Sequence, residues 1–267
     1  MNRFPVLLNA GLRALTRSAT VWVIAAAIFT VVNLAFWPSL EGSRALDELG
    51  NLSDDMLDAF GAGSIATPAG YLDGQLFALM LPVLLSAMVI THVTALTSGD
   101  EDAGRLELLQ ALPVTRRTLW LSRYTSSLIL LIGVAAAVAG LVAVLLPLFS
   151  FEGVAVTRVA LATLACTELA ALHGSVAFAA GGIGVPRSRA VTIAVSVLVI
   201  GYVLDFVVPI AAPLRWARRL SPWWWTIGRQ PVTDGIHVTG LLLVLVVGGA
   251  LVLGALRVLD HRDLRGA

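Results

Sequence analysis

Apolar positions run along this chain in long unbroken stretches, and polar positions gather in the gaps between them. The stretches cover about Thr20 to Phe36, Tyr71 to Leu96, Leu119 to Phe149, Val159 to Ile183, Ala190 to Val208 and Val238 to Leu259. At about 1.5 Å per residue, each is long enough to cross a hydrocarbon core of about 30 Å. Backbone groups in lipid must bond within their own segment, so these runs are expected to be helices. The period-two alternation of a membrane barrel is missing. The expected fold is all-α, with six transmembrane helices in a single membrane domain over residues 1–267. An amphipathic N-terminal segment carrying Arg3, Arg13 and Arg17 precedes the first span.

Composition narrows the function. Hydrophobic residues make up 58% and charged residues 13%, so the bilayer is the main solvent. A net charge of +1 leaves no broad basic surface for nucleic acid. All 18 basic residues are Arg, so the Lys of a G-x-x-x-x-G-K-[ST] phosphate loop is lacking from these 267 residues. ATP hydrolysis of that kind would fall to a partner. Cys166 is alone, which rules out an intrachain disulfide. Neither H-E-x-x-H, G-x-S-x-G nor a paired-Cys spacing is present, so no catalytic residue, metal site or bound cofactor is expected. "HRDL" at His261 to Leu264 matches the start of a kinase catalytic loop, but the Asn and Gly-rich loop of that site are missing.

Arginines set the expected orientation. They cluster before span one, around the loop after span two (Arg105, Arg116, Arg117, Arg123), after span four (Arg187, Arg189) and at the end of the chain (Arg257, Arg262, Arg265). Both termini should then face the cytoplasm. The segment between spans one and two is acidic instead, from Glu41 to Asp73, which suits the outer side. Arg215, Arg218, Arg219 and Arg229 conflict with this scheme, because an even span count places them outside. Pro209, Pro213, Pro222 and Pro231 break that region, and Trp223, Trp224 and Trp225 suit the headgroup level, so a short outer re-entrant hairpin is expected. The alternative is a cytoplasmic loop and one miscounted span.

One polar gap is unusually charged: "GDEDAGRLELLQALPVTRR", Gly99 to Arg117. Ser98 and Glu101 have capping-box spacing, and Asp100, Glu101 and Asp102 would favour the first turn of a helix. Ala103, Leu106, Leu109 and Leu112 would make an apolar stripe, with Pro113 ending the helix and Thr115 capping the next. The expectation is an amphipathic helix over Asp100 to Leu112 that shows its charges to the cytoplasm, or else an ordinary solvated loop.

The same block resembles the cytoplasmic loop of ABC-2 type transporter permeases. Glu101, Gly104, Leu106, Glu107, Leu109, Pro113, Val114, Thr115 and Arg116 follow that family's pattern in order, while Arg105 stands where many relatives have Thr. "TPAGYLDGQLFAL" at Thr67 to Leu79, "LSPWWW" and "LDHRDLRGA" also fit bacterial drug and polyketide-antibiotic exporter permeases. The resemblance implies a permease subunit, not an enzyme, that exports a drug, antibiotic or other amphiphile across the cell membrane. It implies a coupling helix containing Glu101, Gly104, Arg105, Leu106, Glu107, Leu109, Pro113 and Arg116 docked on an ABC ATPase subunit that binds the ATP and Mg. A second permease subunit, as homodimer or heterodimer, would complete the transporter. On this reading, reversing Glu101 and Glu107 to Arg spares membrane insertion and removes ATPase association. The alternative is a secondary transporter or membrane scaffold without an ATPase.

Glu168, His173 and Asp205 are the ionisable residues deepest in the apolar runs, as transport-path or helix-packing residues. Five residues separate Glu168 from His173, about 140° around a helix, so they are not expected to pair.

Overall fold

The computed structural model describes residues 3–41, 67–105, 114–228 and 230–262. Leu106, Glu107, Leu109 and Pro113 of the expected coupling helix lie outside the described residues. The long helices are α1 (Phe4–Ala35), α4 (Met80–Leu96), α6 (Arg116–Leu145), α7 (Val156–Gly182), α8 (Arg187–Tyr202) and α10 (Val238–His261). Short helices α2 (Trp37–Glu41), α3 (Pro68–Leu72), α5 (Ser98–Asp102) and α9 (Pro222–Thr226) sit at their ends. Among the described residues there is no strand. Among the described residues six helical segments are long and apolar enough to cross a membrane: Phe4–Leu40, Pro68–Asp102, Arg116–Leu145, Val156–Gly182, Arg187–Ile210 and Val238–His261.

Five of the six agree with the apolar runs to within a few residues. The first does not. The amphipathic N-terminal segment is continuous with span one, and α1 runs for 32 residues, about 48 Å. Its buried positions explain why: Gly11, Leu15, Ala19, Ala26, Thr30 and Leu34 fall four or seven apart and so share one face, which lies along α6. Gly11 allows the close approach, since a Cβ there would meet Ser126. The Ser126 hydroxyl donates to the Leu8 carbonyl at 3.0 Å.

Spans two and four form the centre, 61% and 67% buried in their apolar windows, against 22% for spans one and five. Gly174 on α7 faces Val89 on α4, and one turn away Ser86 and His173 Nδ1 are 2.9 Å apart. His92 is held in the same way, 3.0 Å from Ser18 on α1. Both histidines therefore bridge helices at buried sites. His173 does not meet Glu168 in any hydrogen bond or ion pair among the described residues, as their spacing implies.

Two π-helical segments interrupt the spans, Asp73–Phe77 in span two and Val203–Val207 in span five. Each places a buried aspartate, Asp73 or Asp205. The alternating course of the six spans leaves the molecule with two ends. One gathers the start of α1, α5, the start of α6, the α7–α8 turn and the end of α10; the other carries α2, α3, the turn after α6 and residues 209–228 and 230–237.

Candidate functional site

At the first end the charged stretch folds inward. Helix α5 closes after Asp102, and Gly104 turns the chain with φ +67°, a conformation natural to glycine. A single helix from Asp100 to Leu112 is thus not formed. The expected capping box is missing too: Thr97 precedes the helix without a side-chain cap, the Ser98 hydroxyl is buried without a hydrogen-bond partner among the described residues, and Glu101 points elsewhere. A stronger partner has taken it. Arg262, at the end of α10, donates Nη1 to Glu101 Oε1 at 2.7 Å and Nη2 to Oε2 at 2.8 Å, the fork geometry of a bidentate pair.

The neighbouring carboxylate is held as firmly. Asp100 receives Arg105 Nη2 at 2.6 Å on Oδ1 and Arg123 Nη2 at 2.7 Å on Oδ2. Arg123 is buried on α6 and also donates to the carbonyl of Leu96 at the end of α4. Arg262 donates Nε to the Gly182 carbonyl at 3.1 Å, and its own carbonyl accepts from Arg116. Asp102 accepts the backbone N–H of Arg187 at 2.8 Å, fixing the start of α8, and Arg117 pairs with Asp260. These contacts make a charge clamp across the ends of spans two to six.

The clamp revises the sequence reading. Asp100 and Glu101 are buried, 7% and 3% exposed, so they do not form an outward charged face. Asp102 and Arg105 do point outward, and Arg116 is half-buried. Arg262 was legible only as one of several arginines near the chain's end. No local pattern links it to a glutamate 161 residues earlier.

At the opposite end the segment before α10 folds onto the helices. Arg218 donates Nε to Asp205 Oδ1 at 2.6 Å and Nη2 to the Gly228 carbonyl at 2.8 Å, while its guanidinium lies 3.9 Å above the Trp224 ring. Of the four arginines that conflicted with the orientation rule, Arg218 is therefore neutralised within the fold, while Arg215 and Arg219 are exposed. The Arg218 contact reaches Asp205 through Oδ1, while its Oδ2 is buried with no hydrogen-bond partner among the described residues. Trp223 is fully buried against Tyr202 and Phe206, with Nε1 donating to the Leu198 carbonyl at 3.2 Å. It is a core residue and not part of a headgroup belt; Trp224 and Trp225 are half-buried. Gly240 makes room for the Trp225 backbone, which a Cβ would overlap. Asp73 accepts the backbone N–H groups of Val232 and Thr233, each at 2.9 Å, and the Thr233 hydroxyl at 2.8 Å.

Between the ends, Glu168 borders a groove of about 330 Å³ between α6, α7 and α10. Among the described residues no group of three His, Cys, Asp or Glu side chains is placed to hold a metal ion.

The family model described as the C-terminal domain of the multidrug efflux system permease Rv1217c matches residues 9–258, a range that takes in spans two to five whole and most of the first and the sixth. No curated protein matches the chain.

Proposed function

The chain belongs to the family of the multidrug efflux system permease Rv1217c, C-terminal domain, and from that premise we propose that it is the membrane-spanning part of an ATP-driven ABC exporter. It is a multi-pass membrane permease. The energy source comes from chemistry the chain lacks: without Lys there is no phosphate-loop lysine in these residues, so a separate ATPase subunit supplies ATP, Mg and hydrolysis. The coupling is then mechanical. A second permease unit completes the path, and alternating access moves an amphiphile across the cell membrane.

The charge clamp is the observation that carries this proposal furthest. It lies beside the stretch that resembles a coupling loop and joins it to spans two to six, so a push delivered there reaches five spans together. Arg105 and Asp102, which face outward, are the natural contacts for an ATPase, while Asp100, Glu101 and Arg116 position the loop from behind. The clamp end is assigned to the cytoplasm by the distribution of arginines.

Purified chain in lipid nanodiscs should not hydrolyse ATP by itself. Co-expressed with an ABC ATPase encoded beside it, it should retain that subunit through purification and give ATP turnover stimulated by exported compounds. Robust turnover by the isolated chain would count against the proposal. Orientation is read separately by cysteine labelling in a Cys166→Ala background, with Arg215→Cys expected to react from outside intact cells and Ser188→Cys only after the inner face is opened. Both positions are exposed.

A further inference from the structure

We propose that the groove between α6, α7 and α10 binds an amphiphilic organic cation, with the Glu168 carboxylate as its counter-ion. This names a substrate class for the export reading and rests on it.

The carboxylates set within the spans differ in one respect. Asp73, Asp100, Glu101 and Asp205 all receive hydrogen bonds or ion pairs from elsewhere in the chain. Glu168 does not: among the described residues no hydrogen bond or ion pair reaches its carboxylate, and its Oε2 is buried. It lies twelve residues into α7, which has 27, so it stands about 18 Å from one end and about 21 Å from the other, near mid-membrane. An ionisable group at that depth is costly unless something compensates it.

The surroundings offer no compensation from within. Glu168, Ala171, Leu172 and Ser175 line the groove at helical spacing on one face of α7. The other polar groups there satisfy each other: the Tyr124 hydroxyl and Ser175 Oγ are 2.7 Å apart, and Ser175 also donates to the Ala171 carbonyl at 2.9 Å. Among the described residues no arginine or histidine lines the groove. Its outer wall is α10, where Gly248 brings the helix close to Ser175 and Gly249 has open space where a side chain would be. Leu245 and Leu253 at the rim are 56% and 59% exposed, so the groove opens sideways toward lipid.

Charge and shape then select the occupant. A volume of about 330 Å³ falls within the range of small-molecule sites, about 300–1,000 Å³. Apolar walls suit an apolar body that arrives from the bilayer, and a lone carboxylate suits one positive charge. A bare metal ion would need several oxygen ligands, about six to eight for calcium, and an anion would meet Glu168 unfavourably.

The test uses the full chain in nanodiscs with tetraphenylphosphonium, and tetraphenylborate as a probe of like shape and opposite charge. The proposal expects saturable binding of the phosphonium alone. Glu168→Gln should weaken it about ten- to a hundredfold, the size of a lost charge-assisted contact, while leaving the melting temperature unchanged or higher. Gly249→Leu fills the groove without touching the carboxylate and should also weaken binding. Equal phosphonium binding by wild type and Glu168→Gln, or binding of both probes alike, overturns the proposal and leaves a groove filled by lipid. Failure of the export reading would look different: no ATPase association and no stimulated turnover, whatever the phosphonium does.

Discussion

The two ends of the molecule both bury carboxylates, but they use them for different purposes. At the clamp end Asp100 and Glu101 reach arginines on other spans, Arg123 and Arg262. At the opposite end Asp205 meets Arg218 only 13 residues away, and Asp73 accepts backbone N–H groups from the turn at Val232 and Thr233. One arrangement joins spans to spans; the other fastens connecting segments onto spans. Among the described residues π-helical turns accompany only the second, where they set Asp73 and Asp205 within helices that would otherwise continue regularly. Under the proposed export function, the end whose spans are joined to one another is the one an ATPase would push.

Replacing Asp100 by Ala should have the largest effect of the single truncations considered. It leaves Arg123, 9% exposed, without its carboxylate, and removing one partner of a buried pair costs about 3–5 kcal/mol. Thermal unfolding in detergent, followed by size-exclusion profile, checks it. Arg218→Met should cost less, about 1–3 kcal/mol, because the Asp205 carboxyl that it strands, although fully buried, can take up a proton, whereas the Arg123 guanidinium keeps its charge. The same variant should alter tryptophan emission, since the guanidinium sits over Trp224. Equal losses for the two variants would erase the contrast between the ends.

Asp73→Asn keeps one acceptor oxygen and loses the second, so the expected cost is about 1 kcal/mol. Its signature is local: hydrogen exchange should quicken at the amides of Val232 and Thr233 and stay unchanged at the clamp. Arg105→Ala should be the mildest, about 0–1 kcal/mol, as this side chain is 60% exposed and Asp100 keeps Arg123. If that variant loses ATPase association while remaining stable, the outward face of the loop is the docking contact.

Long-range pairing is what the sequence concealed. The spans were legible because a lipid solvent demands continuous apolar helices, and five of the six runs match the helices closely. The first span outgrew its apolar run because one buried stripe, beginning at Gly11, continues past the Arg13 and Arg17 turns along α6. Charges behaved differently. The acidic run at Asp100 to Asp102 read as an exposed face because its partners Arg123, Arg187 and Arg262 belong to other segments. Trp223 read as an interfacial residue because its neighbours Tyr202 and Phe206 lie on the preceding span. Glu168 was visible as an ionisable group in an apolar run, yet its want of a partner could be seen only in the fold.

The expected effect of reversing Glu101 changes with this geometry. As an exposed residue, Glu101→Arg would spare the fold and cost only partner binding; as the buried mate of Arg262, it sets two guanidinium groups face to face. The most direct measurement is therefore the charge exchange, comparing Glu101→Arg, Arg262→Glu and the double variant by melting temperature and monodispersity in detergent. The clamp predicts that each single variant is strongly destabilised and that the double variant recovers much of the loss, a coupling of about 1 kcal/mol or more. Single variants that stay monodisperse at the wild-type melting temperature, or a double variant no better than the worse single, would contradict it.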